Sequence, residues 1–582
     1  MKPFKTLVDV IHYIAEQKNP KALNHLENEQ WKAFSSSDFV TSVKYLTLYL
    51  NTLQFNRGER IGIMAPCSAF WTIADFAILL AGGISVPLFA NISHENFEYE
   101  VDQAEIKVLF ISGEEQWKML HAHQGHFKQI IAFDEKPNAL TLSEAYRIGK
   151  EIDAKDPDLY PSLLSKMTEK DVATIIFTSG STGLPKGVEL TQTSLVSLLH
   201  IDPFYWNPKT DRYLSVLPLA HIFARALNLI MVAWGISVYY LADVKKLGEA
   251  AQQVKPSLMI LVPRILEKIQ ANMWAKVNAG NFMTRLIGRW ALRLAAQKES
   301  SFWRQIFHPI ADTLVYSRLR EAFGNRLRLI ISGGAHLNPD VYHFFLAIGF
   351  PVYEGYGLTE AATVSCNRFN RIKVGTIGLP FEGMTVSLTP EGELLVKGGL
   401  VMKGYYKSPE ATQNAFTEDG WLRTGDRAQI DEEGFITILG RLKELFKTTK
   451  GEYISPVPIE QALAKDRLVD MAIIIADSRK YATCLIFPDF EAVKKIQKKL
   501  NKEQIPMEEF LQGAEIKQHM HKLLVSINKH LNHWEELHDF RVVAEHPSIE
   551  GGELTPTMKL RREVIEKKYE DLINSMYFEE LV

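Results

Sequence analysis

Short apolar runs alternate with helical stretches through most of this chain, and that alternation limits its architecture more than any other feature. Such runs are Arg60 to Met64, Val108 to Ile111, Gln129 to Phe133, Ala173 to Phe177, Tyr213 to Val216, Ser257 to Val262 and Leu327 to Ile331. Continuous apolar strands separated by helices bury both faces, so they assemble as largely parallel sheets in a layered α/β fold. At 582 residues the chain is too long for one hydrophobic core. From about Thr385 the texture changes to short strands with turn signals, Pro390-Glu391-Gly392 and Asp431-Glu432-Glu433-Gly434. From Arg441 a hairpin pattern, Met471 to Ala476 and Tyr481 to Phe487, precedes helices, a strand at Phe540 to Ala544 and a final helix. The expected architecture is a large N-terminal domain (1–440) of layered α/β sheets with a β-rich subdomain at about 380–440. A small, mobile α+β domain (441–582) follows it.

Composition removes several function classes. Apolar content of 46% and charged content of 23% are ordinary for a globular protein. A formal net charge of −3 offers no attraction to nucleic acid, and none is expected as a partner. The three cysteines, Cys67, Cys366 and Cys484, are widely spaced, which argues against a disulfide framework or zinc site and fits a reducing, cytoplasmic compartment. The N-terminus reads as an amphipathic helix interrupted by Asp9, His12 and Glu16, with no signal-peptide pattern. The runs Trp71 to Ala90 and Ala226 to Ala242 carry glycines and each reads as a buried helix followed by a buried strand, not a membrane span.

The stretch FTSGSTGLPKGVELT, Phe177 to Thr191, leaves a buried strand through hydroxyls, glycines and one lysine. Backbone N–H groups in a glycine-rich turn form an anion nest, hydroxyls add donors and Lys186 adds a mobile positive charge, so the loop is built to hold phosphate. It is not a Walker A loop, because Pro185 and Gly187 flank Lys186 and disfavour a helix there.

TSGSTGLPKG resembles the phosphate-loop signature of the adenylate-forming superfamily, which includes acyl-CoA synthetases, luciferases and peptide-synthetase adenylation domains. The resemblance continues in order over nearly the full length. LPLAHIFAR (Leu217 to Arg225) resembles the segment lining the acyl pocket, with His221 its notable residue; a lone histidine so placed is more often a satisfied core residue than a functional one. SGGA (Ser332 to Ala335) resembles the loop over adenine, and EGYGLTE (Glu354 to Glu360) the adenine and magnesium segment. GWLRTGD resembles the ribose segment ending in Asp426, which on its own is also good turn chemistry. GRLKELFKTTKGEYISPVPIE (Gly440 to Glu460) resembles the stretch with Arg441, the hinge and the thioester-forming loop. ELTPTMKLRR resembles the C-terminal segment whose lysine is catalytic, here Lys559; without the resemblance it is one member of a solvated basic patch with Arg561 and Arg562.

The resemblance therefore implies an enzyme whose catalytic group is Lys559, His221, Glu360 and Thr178. ATP and AMP would be bound by Thr178, Ser179, Gly180, Ser181, Thr182, Gly183, Lys186, Gly333, Gly334, Ala335, Glu354, Gly355, Tyr356, Gly357, Thr359, Asp426 and Arg441. Glu360 and Thr178 would hold Mg²⁺, Lys443 would be the hinge, and Gly451 and Tyr453 would belong to the thiol-acceptor loop. The implied substrates are ATP, a carboxylic acid and coenzyme A. A carboxylate attacks the α-phosphate and expels pyrophosphate, then a thiol takes the acyl group and releases AMP. Bringing two anions together costs roughly 4 kcal/mol at 4 Å and an effective dielectric of 20, which is why a lysine and a cation belong there.

Chain length, LPLAHIFAR, LVYSRLREAFGNRLRLIISGGA and a helical insert at about 271–307 resemble the long-chain fatty acyl-CoA ligases. A long acyl chain requires an apolar tunnel worth about 0.8 kcal/mol per buried CH₂. Apolar residues at 200–265 supply either that tunnel or ordinary core. RLIGRWALRLAAQ (285–297) sets Arg285, Arg289 and Arg293 on one helical face, with Leu286, Ile287, Trp290 and Leu294 largely on others. Such a helix either lies on the inner, anionic face of a membrane or docks on its own domain. Gln192, His336 and Tyr453 depart from the usual pattern; the last bears on the acceptor, which an acyl-carrier protein would also satisfy. Retention of Lys186, Glu360, Asp426 and Lys559 argues against a non-catalytic acyl or nucleotide sensor on this fold.

Overall fold

In a computed structural model of the chain, the described residues are 4–178, 184–200, 204–297, 302–442, 446–447, 453–477, 479–555 and 560–577. The apolar runs become neighbours in two large sheets. One sheet has Gly404–Tyr405 at its edge, followed by Lys186–Thr191, Val172–Thr178, Ile84–Leu88, Arg60–Met64, Val108–Ile111, Gln129–Ala132 and Leu140–Thr141. From Val172–Thr178 outward its strands are parallel, and the first two pairings are antiparallel. The second sheet runs from Leu379–Pro380 through Ser365–Cys366, Val352–Tyr356, Leu329–Ser332, Leu258–Leu261, Arg212–Ser215, Ser237–Tyr240 and Leu23–Glu27 to Gln30–Phe34.

A separate antiparallel sheet joins Met384–Leu388, Glu393–Gly398, Leu422–Ile430 and Ile436–Arg441. Its alternating burial along Leu422–Ile430 is what one packed face dictates. Beyond residue 446 the core is distinct: Ala482–Pro488 pairs antiparallel with Val469–Ile475 and parallel with Leu537–Val542, and their apolar faces pack against helices of the same segment. The fold is thus mixed α/β, with a large N-terminal part of several sheets and a smaller C-terminal part.

The two suspected spans resolve as expected. Ala69–Leu80 is a helix capped by the Ser68 hydroxyl and followed by the Ile84–Leu88 strand; Ile222–Ala233 is a helix followed by Ser237–Tyr240. Among the described residues no helix is long and apolar enough to cross a membrane.

These two helices meet through buried polar groups. Arg225, 3% exposed, donates from Nε to Asp75 Oδ2 at 2.9 Å, from one terminal nitrogen to Asp75 Oδ1 at 2.6 Å and from the other to Thr174 Oγ1 at 2.6 Å. The Ser85 hydroxyl also donates to Asp75, and the guanidinium lies 5.7 Å from the Trp71 ring centroid. One turn away Thr72, Asn228 and Tyr240 close a second hydrogen-bonded group. Gln192 has a structural use: its Oε1 accepts from the backbone N–H of Leu7 at 3.1 Å and so fixes the N-terminal helix.

The Phe282–Ala295 helix docks on its own domain. Gly288, Ala291, Leu292 and Ala295 pack inward, and a Cβ at Gly288 would lie 2.6 Å from Val277, so the helix docks closely on Pro263–Ala279. Arg285, Arg289 and Arg293 are exposed. One expectation is corrected: Leu286 is not turned from the arginines but is 57% exposed beside them, while Leu294 is buried.

Asp75→Ala leaves a buried guanidinium without its carboxylate. The expected loss is about 3–5 kcal/mol, read as a lower urea midpoint of the transition followed by tryptophan fluorescence.

Candidate active site

Strand ends and cross-strand pairs bring the sequence motifs together. Thr178 ends its strand directly opposite Lys186 on the antiparallel neighbour. Tyr405 pairs with Val188 on the other side of that neighbour, which sets the Lys186 ammonium 5.4 Å from the Tyr405 ring centroid. The Tyr405 hydroxyl donates to Glu360 Oε1 at 2.8 Å, and the backbone N–H of Met402 donates to the Glu360 carbonyl at 2.7 Å. Burial raises the Tyr405 hydroxyl pKa above its ordinary value and the Glu360 charge raises it further, so the phenol remains a donor. Thr178, Lys186, Tyr405 and Glu360 therefore form one connected, partly open cluster.

A second cluster meets it. Asp426 and Arg441 are register partners, and Arg441 Nε lies 2.9 Å from Asp426 Oδ1. Asp426 Oδ2 accepts from the Tyr356 hydroxyl, whose pKa rises well above the ordinary phenol value through burial and the adjacent Asp426 charge. The positive charge of Arg441 acts on both Tyr356 and Tyr405, which joins the two groups. Thr359 follows in a short 3-10 turn, Thr359–Ala361, that leads into Glu360.

The SGGA loop enters from the Leu329–Ser332 strand. A Cβ on Gly333 would sit 2.9 Å from the Gly355 carbonyl oxygen and 3.2 Å from Phe223 Cζ, so only glycine lets these three segments touch. Gly334 has φ +80, Ala335 is exposed, and Gly355 and Gly357 are partly buried. Glu354 turns inward instead: it is 2% exposed and its Oε1 accepts from the Leu337 backbone at 3.0 Å, supporting the loop from below. Its Oε2 has no hydrogen-bond partner among the described residues. Burial pushes the Glu354 carboxyl up to about 8, so it is largely protonated at neutral pH.

His221 is the N-cap of the Ile222–Ala233 helix. Its Nδ1 accepts from the Phe223 backbone at 3.2 Å, which puts the proton of a neutral ring on Nε2, and its ring centroid is 6.5 Å from that of Phe89. The buried residues of 200–265 include Leu214, Val216, Leu229, Ile230 and Val238, which are core; Phe223 and Leu227 are partly buried. The three cysteines are buried, and burial raises each thiol, Cys67 to about 12, which removes them as nucleophiles.

Ser179, Gly180, Ser181, Thr182, Gly183, Lys443, Gly451 and Lys559 lie outside the described residues; of Tyr453 the backbone is described, paired with Lys447. The residues after Lys559 are anchored: Leu560 bridges Leu554, and Arg562 bonds the Ile474 carbonyl and pairs with Glu460 at 2.5 Å. The C-terminal part touches the SGGA side through Gln461 to the His336 carbonyl at 3.2 Å, Lys465 with Asp340 at 2.6 Å, and Arg264 with Asp470. Tyr405 was missed by the sequence reading, and its only signal was the aromatic pair Tyr405-Tyr406 after a glycine.

A family model described as AMP-binding enzyme matches residues 13–406, and one for the AMP-binding enzyme C-terminal domain matches 444–580. The long-chain-fatty-acid–CoA ligase FadD15 of Mycobacterium bovis is 32% identical over 572 residues, covering 94% of this chain and 93% of its own. Fatty acyl-CoA synthetase A of Dictyostelium discoideum is 29% identical over 568 residues, covering 90% of this chain and 83% of its own. The A domain of carboxylic acid reductase from Segniliparus rugosus, solved with AMP and a co-purified carboxylic acid, is similar with a TM-score of 0.74 at 19% identity. That match covers 98% of this chain and 93% of that one and concerns the fold alone.

Glu354 yields a pH prediction. A carboxyl raised from 4.5 to about 8 leaves the folded state holding more protons than the unfolded state between those values, so its stability contribution is complete below 4.5 and is lost as pH rises through 8. Glu354→Gln keeps the acceptor for Leu337 and removes the titration. Between about pH 6 and pH 8.5 the urea midpoint should therefore fall less in the variant than in the wild type.

Proposed function

The chain belongs to the AMP-binding enzyme family and stands with its long-chain fatty acyl-CoA ligases, and from that premise we propose that it converts a long-chain fatty acid and coenzyme A to acyl-CoA in two AMP-forming steps. The observation that carries the reading is a pair of neighbouring groups, Thr178, Lys186, Tyr405 and Glu360 in one and Tyr356, Asp426 and Arg441 in the other, each connected through hydrogen bonds, ion pairs or cross-strand contacts. Asp426, with two oxygens held by Tyr356 and Arg441, is oriented to accept from ribose hydroxyls. Lys186 and the loop before it neutralise phosphate charge. Gly333 and Tyr356 would border the flat base.

Glu360 fits Mg²⁺ as a hard oxygen donor at a partly open position, oriented by Tyr405 and close to the Thr178 strand end. A bound Mg²⁺ supplies neutralisation of phosphate charge. In the first step Lys559 would bridge the fatty carboxylate and the α-phosphate, and the acyl chain would run past His221, Phe223 and Leu227. In the second step the C-terminal part (441–582) would turn about Lys443 and present the loop with Gly451 and Tyr453 to the thiol. Among the described residues, polar contacts that would have to break include Gln461 with His336, Lys465 with Asp340, Arg264 with Asp470 and Ser455 with the Leu439 carbonyl.

Product mass spectrometry tests this reading. With ATP, Mg²⁺, mixed fatty acids and CoA, acyl-CoA weighted to long chains should form, and Lys559→Ala should lower adenylate formation by about 100-fold or more, in line with loss of one transition-state charge contact. Acyl-AMP without acyl-CoA would move the acceptor to a carrier protein; no adenylate from any acid would overturn the reading.

A second reading concerns where the substrate is met. Exposed Phe282, Met283 and Leu286 lie with Arg285, Arg289 and Arg293, and Ile306, Ile310 and Leu314 of the following helical segment are exposed as well. Apolar side chains edged by arginines suit an anionic bilayer, in which fatty acids partition. Co-sedimentation with phosphatidylglycerol vesicles at low salt should be lost at high salt and in Arg285→Glu/Arg289→Glu; no sedimentation of wild type would remove this reading.

A further inference from the structure

Far along the chain from the phosphate loop, the helix His94–Gln103 faces the 3-10 segment His121–His126. His94 and Glu98 are one helical turn apart, so their side chains share a face. His94 Nδ1 lies 3.5 Å from Glu98 Oε1, and His123 Nε2 reaches the same oxygen at 3.1 Å from the opposite side. The three donor atoms lie within 4.8 Å of one another, and the two imidazole centroids are 5.0 Å apart. Yet His123 Nε2 is buried and forms no hydrogen bond among the described residues; it is aimed at the cluster without being satisfied by it.

Two imidazole nitrogens and a carboxylate oxygen are a ligand set for a first-row transition-metal dication. Tetrahedral Zn²⁺ with bonds of roughly 2.0–2.1 Å sets its ligands about 3.3 Å apart, close to two of the separations seen here. Hard oxygen-seeking cations such as Mg²⁺ and Ca²⁺ do not select imidazole. His94 and Glu98 are about half exposed, so solvent can complete the coordination shell. The third histidine of the segment, His126, faces Asp102 at 3.9 Å and Lys107 at 3.4 Å, and so lies outside the cluster.

We propose that His94, Glu98 and His123 bind one Zn²⁺-class dication, clipping the His94–Gln103 helix to the His121–His126 turn. None of the three belongs to the nucleotide or acyl machinery, so the clip is separable from the ligase reading. The helix nevertheless begins five residues after Phe89, whose ring is beside His221.

The test is calorimetric titration of ZnCl₂ into tag-free, chelator-treated full-length protein at neutral pH, with Co²⁺ absorption spectra in parallel. Wild type should bind one equivalent that disappears in His123→Gln and in Glu98→Gln and persists in His126→Gln. Near-UV circular dichroism of each variant controls for folding; these are surface positions, and a parallel His94→Gln variant guards against a misfolded one. Absence of binding to wild type, or binding that survives His123→Gln and Glu98→Gln, would overturn the assignment.

Discussion

The buried guanidinium of Arg225 is the constraint on which the large domain depends. Asp75 sits on the Ala69–Leu80 helix and Thr174 on the strand that leads into the glycine-rich loop, while Arg225 sits on the helix leading into a strand of the other sheet. Together with the Thr72, Asn228 and Tyr240 hydrogen bonds, the pair locks together two layers whose remaining contacts are largely apolar. Desolvating both charges consumes most of what their attraction supplies, so the net stability gain is small. What the geometry provides is register. A bidentate pair with a third hydrogen bond to Thr174 permits one rotation of the helix against the sheet, and that rotation sets Phe223 against Gly333 of the SGGA loop.

The groups proposed to face the nucleotide are held the same way, by short-range pairs across strands. Thr178 opposite Lys186, Tyr405 beside Val188 and Asp426 opposite Arg441 are backbone registers before they are side-chain contacts. A slip of one residue in any of them would turn the side chain to the other face. Tyr405 shows the economy of this arrangement. One phenol orients a carboxylate by hydrogen bonding and offers its ring to an ammonium. The groups that would move between reaction steps sit instead on a part with its own core, attached by exposed polar contacts.

Much of the fold was legible because strand and helix periodicities are local. Arg60–Met64 and Val108–Ile111 match their apolar runs at both ends, and the runs mistaken most easily for membrane spans broke where Gly82, Gly83 and Gly235 stand. The motif residues were legible through resemblance, since no spacing rule would single out Asp426 from other turn aspartates. Leu286 was misplaced because helical periodicity gives angles around an axis and not which arc the domain covers; the packed arc here is the small one of Gly288, Ala291 and Ala295. Glu354 and Gln192 acquired roles as buried supports, which no residue-type argument distinguishes from ligand contacts.

The sequence by itself determined the layered α/β class, the β-rich segment, a small C-terminal unit and a loop rich in glycines and hydroxyls after a buried strand, because each rests on the order of residues within a few turns of chain. Only the tertiary structure decided that Arg225 is a bridge, that Tyr405 serves Glu360, and that His94, Glu98 and His123 converge. Those facts depend on contacts between residues tens to hundreds of positions apart, and their positions are set by strand register and close packing that local chemistry does not encode.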